Sequence, residues 1–349
     1  MNIECRSIIT STFVVYYLTD IDCFSLRYST LNIRHLILTA LLVIPAFCFS
    51  QLHWKKVNNE FDSLPRSIRI FKATDSLNGH PFQAWCAEIR LTDKHIDFTT
   101  QTGHGKCYTP SQFYAAEEKP YIVINGGFFS FQTNQLLSVI IRNGKMEAYN
   151  IPALKSLYTD SFYYPTRSAF GISKKRSPDI AWLFTDTAKR WPYAFESRPI
   201  IAKGSNPDPS FKDLHTLDQW KWWKMKTAIG GGPVLVQDGS VFITNKEEQL
   251  FSYENVDRHP RTAIGYTRNR RLIILVIQGR YPGVAEGATL EEEAHMLIDL
   301  GCVEAMNLDG GGSSCMLVNG KETILPSDKD GERPVASVFI VRKRTRNAK

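Results

Sequence analysis

The stretch Ala305-Met306-Asn307-Leu308-Asp309-Gly310-Gly311-Gly312-Ser313-Ser314-Cys315-Met316 sets one acid against three consecutive glycines and two hydroxyls at the end of a short apolar run. Three glycines in a row are costly in conformational entropy, and they let a backbone take positive φ and come close to a ligand. A hairpin turn with Asp309 as its turn residue rarely needs all three. The pattern recurs. A glycine pair in Val123-Ile124-Asn125-Gly126-Gly127-Phe128-Phe129 and a second triplet in Ala228-Ile229-Gly230-Gly231-Gly232-Pro233 also follow apolar runs. The later two segments continue to the hairpin-turn signals Asp238-Gly239 and Asn319-Gly320, and Asn143-Gly144 follows the first. Arg167-Ser168-Ala169-Phe170-Gly171-Ile172 is echoed by Arg261-Thr262-Ala263-Ile264-Gly265-Tyr266. These echoes predict an internally pseudo-repeated fold in which glycine-rich loops from separate strands converge. The irregular period excludes a solenoid or propeller array.

Around these loops the apolar pattern predicts strands over 82–91, 121–124, 138–142, 169–173, 180–184, 233–237, 262–267, 272–277 and 303–308. Thr109-Pro110-Ser111-Gln112 and the capping box Thr289-Leu290-Glu291-Glu292 open two helices, the second with Leu290, Ala294, Leu297 and Ile298 on one face and Gly301 as its stop. The expected class is α+β: mixed or antiparallel sheets with a few packed helices and convergent glycine-rich loops. Asp309 then lies at the C-terminal end of a strand, a common position for ligand contacts. Residues 191–226, rich in proline, form an ordered excursion. Its Trp220, Trp222 and Trp223 suit either a sugar-stacking platform or, more commonly, an aromatic cluster buried beneath a long loop.

The 349 residues, 43% hydrophobic and 22% charged, are enough for one large globular domain. Of the net charge of +7, much sits in a basic tail over 342–349, read as a solvated end. No zinc-finger or RNA-binding signature accompanies the scattered basic residues, so nucleic acid is not an expected partner. Arg34 and His35 precede an apolar run over 36–49, whose length suits a signal peptide better than a membrane span. The expected organisation is a signal region over 1–50 with cleavage near Ser50, a lead-in over 51–81, one main domain over 82–341 and the tail. Residues 1–30 then read as a mis-assigned start or a long n-region, and a retained signal anchor is the alternative. Export to the periplasm or outside the cell follows, with no stable membrane span once the signal is removed. Beyond residue 51 the cysteines are Cys86, Cys107, Cys302 and Cys315, without CxxC spacing. They are read as free buried thiols or as disulfide partners, for which four cysteines allow three connectivities.

Several enzyme classes are excluded by absent motifs. There is no GxxxxGK[ST] loop and no HExxH, Gly311-Gly312-Ser313-Ser314-Cys315 departs from GxSxG in its last position, and the eight histidines lack metal-ligand spacing. Instead, Asn125-Gly126-Gly127-Phe128-Phe129, Gly230-Gly231-Gly232-Pro233, Pro260-Arg261-Thr262-Ala263-Ile264-Gly265, Gly279-Arg280, Gly287-Ala288-Thr289-Leu290 and Asn307-Leu308-Asp309-Gly310-Gly311-Gly312-Ser313-Ser314 occur in one order. In these motifs the chain resembles the phosphodiester glycosidases over about 82–340. The resemblance implies a hydrolase, in carbohydrate metabolism, that releases a sugar from a sugar-1-phosphate diester and leaves phosphate on the other alcohol. Two departures stand out: Gln278 where the family's Asp-Gly-Arg has aspartate, and Cys315 where threonine is usual.

A departing phosphate monoester is a stable anion that needs little protonation, so one carboxylate and phosphate-binding cations meet the chemical demand. Asp309 is the candidate to activate water or to stabilise the oxocarbenium charge. Arg261 and Arg280 are assigned to the phosphate, each with a structural ion pair as its alternative. Asn125 orients substrate or Asp309, while Ser313 and Ser314 bond sugar or phosphate. The glycines of the three loops, Gly126, Gly127, Gly230, Gly231, Gly232, Gly310, Gly311 and Gly312, supply close backbone approach and amide donors. Glu286 is a second, weaker carboxylate candidate. No cofactor is required, and although an acidic glycine loop admits a divalent cation, no ligand set demands one. A non-catalytic glycan-binding protein and a phosphodiesterase cleaving P–O are the alternative readings.

Overall fold

The computed structural model describes residues 52–151, 154–155, 162–163, 166–186, 190–195, 220–250 and 257–345, which fall in one unit, Ser50–Lys349. The signal region, its cleavage point and the last four residues of the basic tail lie outside the described residues.

Strand Arg271–Ile277, with the sequence Arg-Leu-Ile-Ile-Leu-Val-Ile, shows why the chain folds as it does. Side chains alternate across a strand, so an unbroken apolar run needs a dry layer on both faces. Leu272, Ile274 and Val276 point into one core, and Ile273, Leu275 and Ile277 into another. Each such side chain, fully buried, is worth about 1.5–3 kcal/mol relative to exposure. This strand sits inside an eight-stranded sheet ordered Lys55–Lys56, Ile68–Ala73, Ala84–Arg90, Arg271–Ile277, Arg261–Thr267, Cys302–Asn307, Val234–Gln237, Ser240–Val241. A five-stranded sheet runs Lys321–Glu322, Met316–Val318, Ile122–Asn125, Ser337–Lys343, Ile96–Thr102. A seven-stranded sheet runs Trp220–Trp222, Trp191–Phe195, Pro178–Asp186, Arg167–Ile172, Thr227–Gly230, Ile140–Arg142, Lys145–Ala148. Ile274 and Met306 from the first sheet, Ile124 and Phe339 from the second, and Phe170 and Ile229 from the third share one core.

The echoed segments occupy equivalent places. In the seven-stranded sheet Ala169 lies opposite Gly230, and in the eight-stranded sheet Ala263 lies opposite Asn307, so each echoed strand flanks a strand that feeds a glycine loop. Residues 68–73, expected as lead-in, are a strand beside Ala84–Arg90.

The expected α+β class is overturned: the fold is predominantly β, built on antiparallel sheets. Among the described residues there are two α-helices, α1 (Pro110–Ala116) and α2 (Leu290–Asp299). Both have complete capping boxes, Thr109 with Gln112 and Thr289 with Glu292. Capping marks where a helix starts but not how much of the core it supplies. Helix α2 lays Leu290, Ala294 and Leu297 on the outer face of the eight-stranded sheet, and α1 adds Phe113 to the outer face of the five-stranded one. The remaining core is strand against strand.

Other expectations resolve locally. Cys86, Cys107, Cys302 and Cys315 are all free thiols, and Cys107 alone of the four is not buried. Trp223 is buried, donating through Nε1 to Asp179 at 2.6 Å, while Trp191 and Trp222 stack at 3.6 Å and are each 40% exposed. The tail begins inside a strand: Arg342 pairs with Glu117 at 2.5 Å and Asp97 at 3.7 Å rather than lying in solvent. Among the described residues no helix is long and apolar enough to cross a membrane.

Candidate functional site

Two buried asparagines end the strands that feed the glycine loops, and their amides fasten those loops together. Asn125 donates through Nδ2 to the Asp309 carbonyl at 2.7 Å, and its Oδ1 accepts from Thr262 Oγ1 at 2.8 Å and from the Cys315 amide at 3.1 Å. The Asp309 amide donates to the Gly126 carbonyl at 3.2 Å. Asn307 donates through its amide to Pro233 O at 2.9 Å and through Nδ2 to Gly232 O at 3.1 Å, and its carbonyl accepts from Gly232 N at 2.8 Å. The three loops therefore converge, as close packing of glycines allows. A Cβ on Gly127 would stand 2.0 Å from Gly230 O, and one on Gly231 would stand 2.7 Å from Asn307 O. Behind them, buried Glu248 accepts from Ser168 N and Oγ, Trp182 Nε1, Val234 N and Thr244 Oγ1, which pins the 230–233 turn.

Most of the glycine amides assigned to a ligand already have protein acceptors. Gly126 donates to Ser337 O, Gly230 to Val139 O, Gly231 to Ser168 O, Gly232 to Asn307 O, Gly310 to Asp309 Oδ1 and Gly311 to Pro260 O. Their contribution is close approach of chain to chain. Several side-chain atoms along these loops and beside them are buried without an aligned partner: Ser313 Oγ, Ser314 Oγ, Ser327 Oγ, Ser337 Oγ and Asn307 Oδ1. Buried polar atoms without partners are uncommon, and several along one set of loops point to a polar ligand.

Asp309 stands half-buried at this junction. Burial pushes its carboxyl up to about 6, against the Ser313 hydroxyl, the Arg333 charge and the Gly310 amide, which donates to Oδ1 at 3.0 Å. Ser313 lies near enough to favour the carboxylate although its hydroxyl makes no well-aligned bond.

The two assigned arginines are placed very differently. Arg280 has a 44% exposed side chain and reaches the glycine loop, so that a Cβ on Gly311 would lie 2.9 Å from its Nη2. Arg261 is 2% exposed, donating through Nε to Ala288 O at 3.0 Å and through Nη2 to Asp257 O at 2.9 Å. Its charge, with that of Arg280, adds to burial in lowering the pKa of His259. Glu286 is engaged by His80 at 2.6 Å, and that bond is the main reason its pKa is lowered. Gln278, standing where the resemblance led one to expect aspartate, accepts the Leu325 amide at 3.0 Å and so anchors the loop after residue 322.

That loop brings residues that sequence reasoning missed. Arg333 grips Asp328 in a two-pronged pair, Nε to Oδ2 at 2.6 Å and Nη2 to Oδ1 at 2.9 Å. Arg280 Nη1 approaches the same Asp328 at 3.9 Å. Gly312 is small for this reason: its Cβ would fall 2.1 Å from Arg333 Nη2 and 2.3 Å from Asp328 Oδ1. The sequence analysis assigned no role to Ser327-Asp328-Lys329-Asp330-Gly331-Glu332-Arg333, and only its return to the glycine loop distinguishes it. Among the described residues no three His, Cys, Asp or Glu side chains cluster as metal ligands. Asp309, a carboxylate of raised pKa, thus lies on a loop approached by Arg280 and by the Arg333–Asp328 pair, with the buried hydroxyls of Ser313 and Ser314 on the same loop.

Comparison with known proteins places the chain in a family. N-acetylglucosamine-1-phosphodiester alpha-N-acetylglucosaminidase of Bos taurus is 32% identical over 109 residues, covering 29% of this chain and 20% of that protein. The Homo sapiens enzyme of the same name is 33% identical over 110 residues, covering 29% and 21%. The chain thus matches about a fifth of the length of these relatives. An uncharacterized SPbeta prophage-derived protein of Bacillus subtilis is 39% identical over 85 residues, 24% of this chain and 13% of that one. Among solved structures, the auto-inhibited catalytic domain of the zebrafish enzyme shares the fold with a TM-score of 0.55 and 20% identity, covering 84% of this chain and 88% of that one. A hypothetical protein from Synechocystis has a TM-score of 0.53 and 18% identity, covering 84% and 68%. The phosphodiester glycosidase family matches residues 118–342, from α1's end through the last long strand, and the chain belongs to that family.

Proposed function

We propose that this protein is an exported hydrolase that cleaves the glycosidic C–O bond of a sugar-1-phosphodiester in a glycan or envelope polymer. The observation that carries the reading is Asp309, a carboxylate of raised pKa held by its own backbone between Asn125 and Gly126, with Arg280 and Arg333 beside its loop. Water attacks the anomeric carbon and gives a proton to Asp309. The bond from that carbon to the phosphate oxygen breaks, its electron pair leaves with the phosphate monoester, and the sugar departs as the free hemiacetal. A carboxylate with a pKa near 6 is a stronger base than an ordinary one and is still ionised near neutrality. Arg280 holds the phosphate, where its delocalised planar guanidinium matches the oxygens, and Arg333, whose Nε and Nη2 are taken by Asp328, assists from its remaining edge. Arg261 acts from behind, keeping positive potential at His259 and the loop. Export is supported by the apolar run over 36–49 with its basic flank.

Hydrolysis in isotopically labelled water tests the bond assignment. Label in the released sugar is expected. Label in the phosphate would replace this reading by P–O cleavage, and glycan binding without turnover of any sugar-1-phosphodiester would replace it by a binding protein.

A further inference from the structure

Beside Arg333, one of the two arginines assigned above to the phosphate, lies an open cavity of about 480 Å³ lined by Cys107, Phe129, Phe131, Asn134, Arg333 and Pro334. Phe131 is 69% exposed, the most exposed of the large hydrophobic side chains among the described residues, although its neighbour Phe129 is buried. An apolar ring in water is costly unless something covers it, and Phe131 is held in place rather than loose. Phe129 meets it edge to face at 5.0 Å, and the Arg333 guanidinium lies over its ring at 5.2 Å. Arg333 therefore belongs to two environments, gripping Asp328 beside the glycine loop and forming part of the cavity wall. Whatever occupies the cavity is next to whatever Arg333 binds.

We propose that this cavity is the subsite for the alcohol portion of the phosphodiester, and that it selects alcohols bearing a hydrocarbon or aryl face over small polyols. The inference rests on the assignment of Arg333 to the phosphate. Asp309 works at the anomeric carbon, so a cavity continuous with the phosphate-binding arginine lies on the leaving-group side. Its wall is made mainly of Phe129, Phe131, Pro334 and the Cys107 thiol. Asn134 is turned inward to Cys107, whose Sγ donates to Asn134 Oδ1 at 3.3 Å, which removes a polar acceptor from the ligand's side.

Two measurements on the full-length chain test this, one of them independent of turnover. In calorimetric titration, phenyl phosphate is expected to bind about tenfold more tightly than inorganic phosphate, equivalent to about 1.4 kcal/mol. Phe131→Ala should bring the two affinities within about twofold of each other. Because Phe131 is exposed, this substitution leaves the core intact, and the inorganic phosphate arm reports any secondary disturbance of Arg333. In the kinetic arm, two diesters of the same sugar 1-phosphate are compared, one with a phenyl and one with a glycerol alcohol. The phenyl diester should have the lower KM by about tenfold, with the ratio collapsing in Phe131→Ala. Equal binding of phenyl and inorganic phosphate by the native protein, or a preference that survives Phe131→Ala, overturns the subsite. If neither diester is hydrolysed yet the phenyl preference appears in binding, the proposed activity fails and the subsite stands.

Discussion

At the scale of single residues, Asp309 and the arginines around it divide chemistry from structure. If Asp309 acts as the ionised base, kcat/KM should rise through pH 6 and level off above it, because burial places its pKa at about 6. Asp309→Asn should lower kcat by about a thousandfold or more, within the range expected for a missing acid–base group and its charge, without lowering Tm. A carboxyl whose folded pKa is raised stabilises the fold less as pH climbs towards that pKa, so a neutral isostere removes no net support near neutrality. Near-native activity of Asp309→Asn would remove it from the reaction. The arginines should separate by assay: Arg280→Ala raises KM for phosphodiesters with Tm nearly unchanged, since its side chain is 44% exposed. Arg261→Ala leaves the carbonyls of Ala288 and Asp257 without their donors and should lower Tm as well. An Arg261→Ala protein with native Tm would return that residue to the ligand. The contrast was not legible in the sequence, where both arginines follow glycine or proline beside a strand and nothing local tells which will be covered.

At the scale of elements, α2 carries a buried acid that its amphipathic pattern conceals. Glu293 is fully buried with neither carboxyl oxygen hydrogen-bonded, and burial raises its pKa from 4.5 to about 8 against the opposing charge of Arg261. The folded value lies above the unfolded one, so this group's support for the fold is complete below about pH 4.5 and is lost as pH rises through about 8. Glu293→Gln, an isostere of the protonated acid, should match the native Tm at pH 5 and exceed it at pH 9. Thermal melts at the two pH values decide it, and a variant equally destabilised at both would mean the carboxyl makes a specific contact. The capping box of α2 was readable because Thr289 and Glu292 are three residues apart. The burial of Glu293 was not, because it depends on Arg261 and on which way the helix faces the sheet.

At the scale of the whole molecule, the site exists where sheets meet. Asn125 ends a strand of the five-stranded sheet, Thr262 belongs to the eight-stranded one, and Asp309 and Cys315 lie on the loop between them, all joined through one carboxamide. Asn125→Ala leaves several buried groups without partners, at about 1–3 kcal/mol for each one unsatisfied, and it frees the Asp309 backbone. With three groups affected, denaturant unfolding should show a loss of at least about 3 kcal/mol on that basis, with kcat falling more steeply than stability. Native kcat in a folded Asn125→Ala protein would show that the amide is a fastener with no bearing on catalysis.

The sequence by itself determined the glycine loops, the apolar runs that had to become strands, the two helix starts, the acid at the centre of the third loop and the family. These signals are carried by neighbours within a few residues, where backbone preference and side-chain period act. Only the tertiary structure decided that strands outweigh helices in the core, that Arg261 is covered while Arg280 is open, and that Arg333 and Asp328 return to the glycine loop. Those outcomes depend on contacts between distant residues, as between Asn125 and Asp309, 184 positions apart. Burial and electrostatic environment arise from such contacts, and no local pattern encodes them.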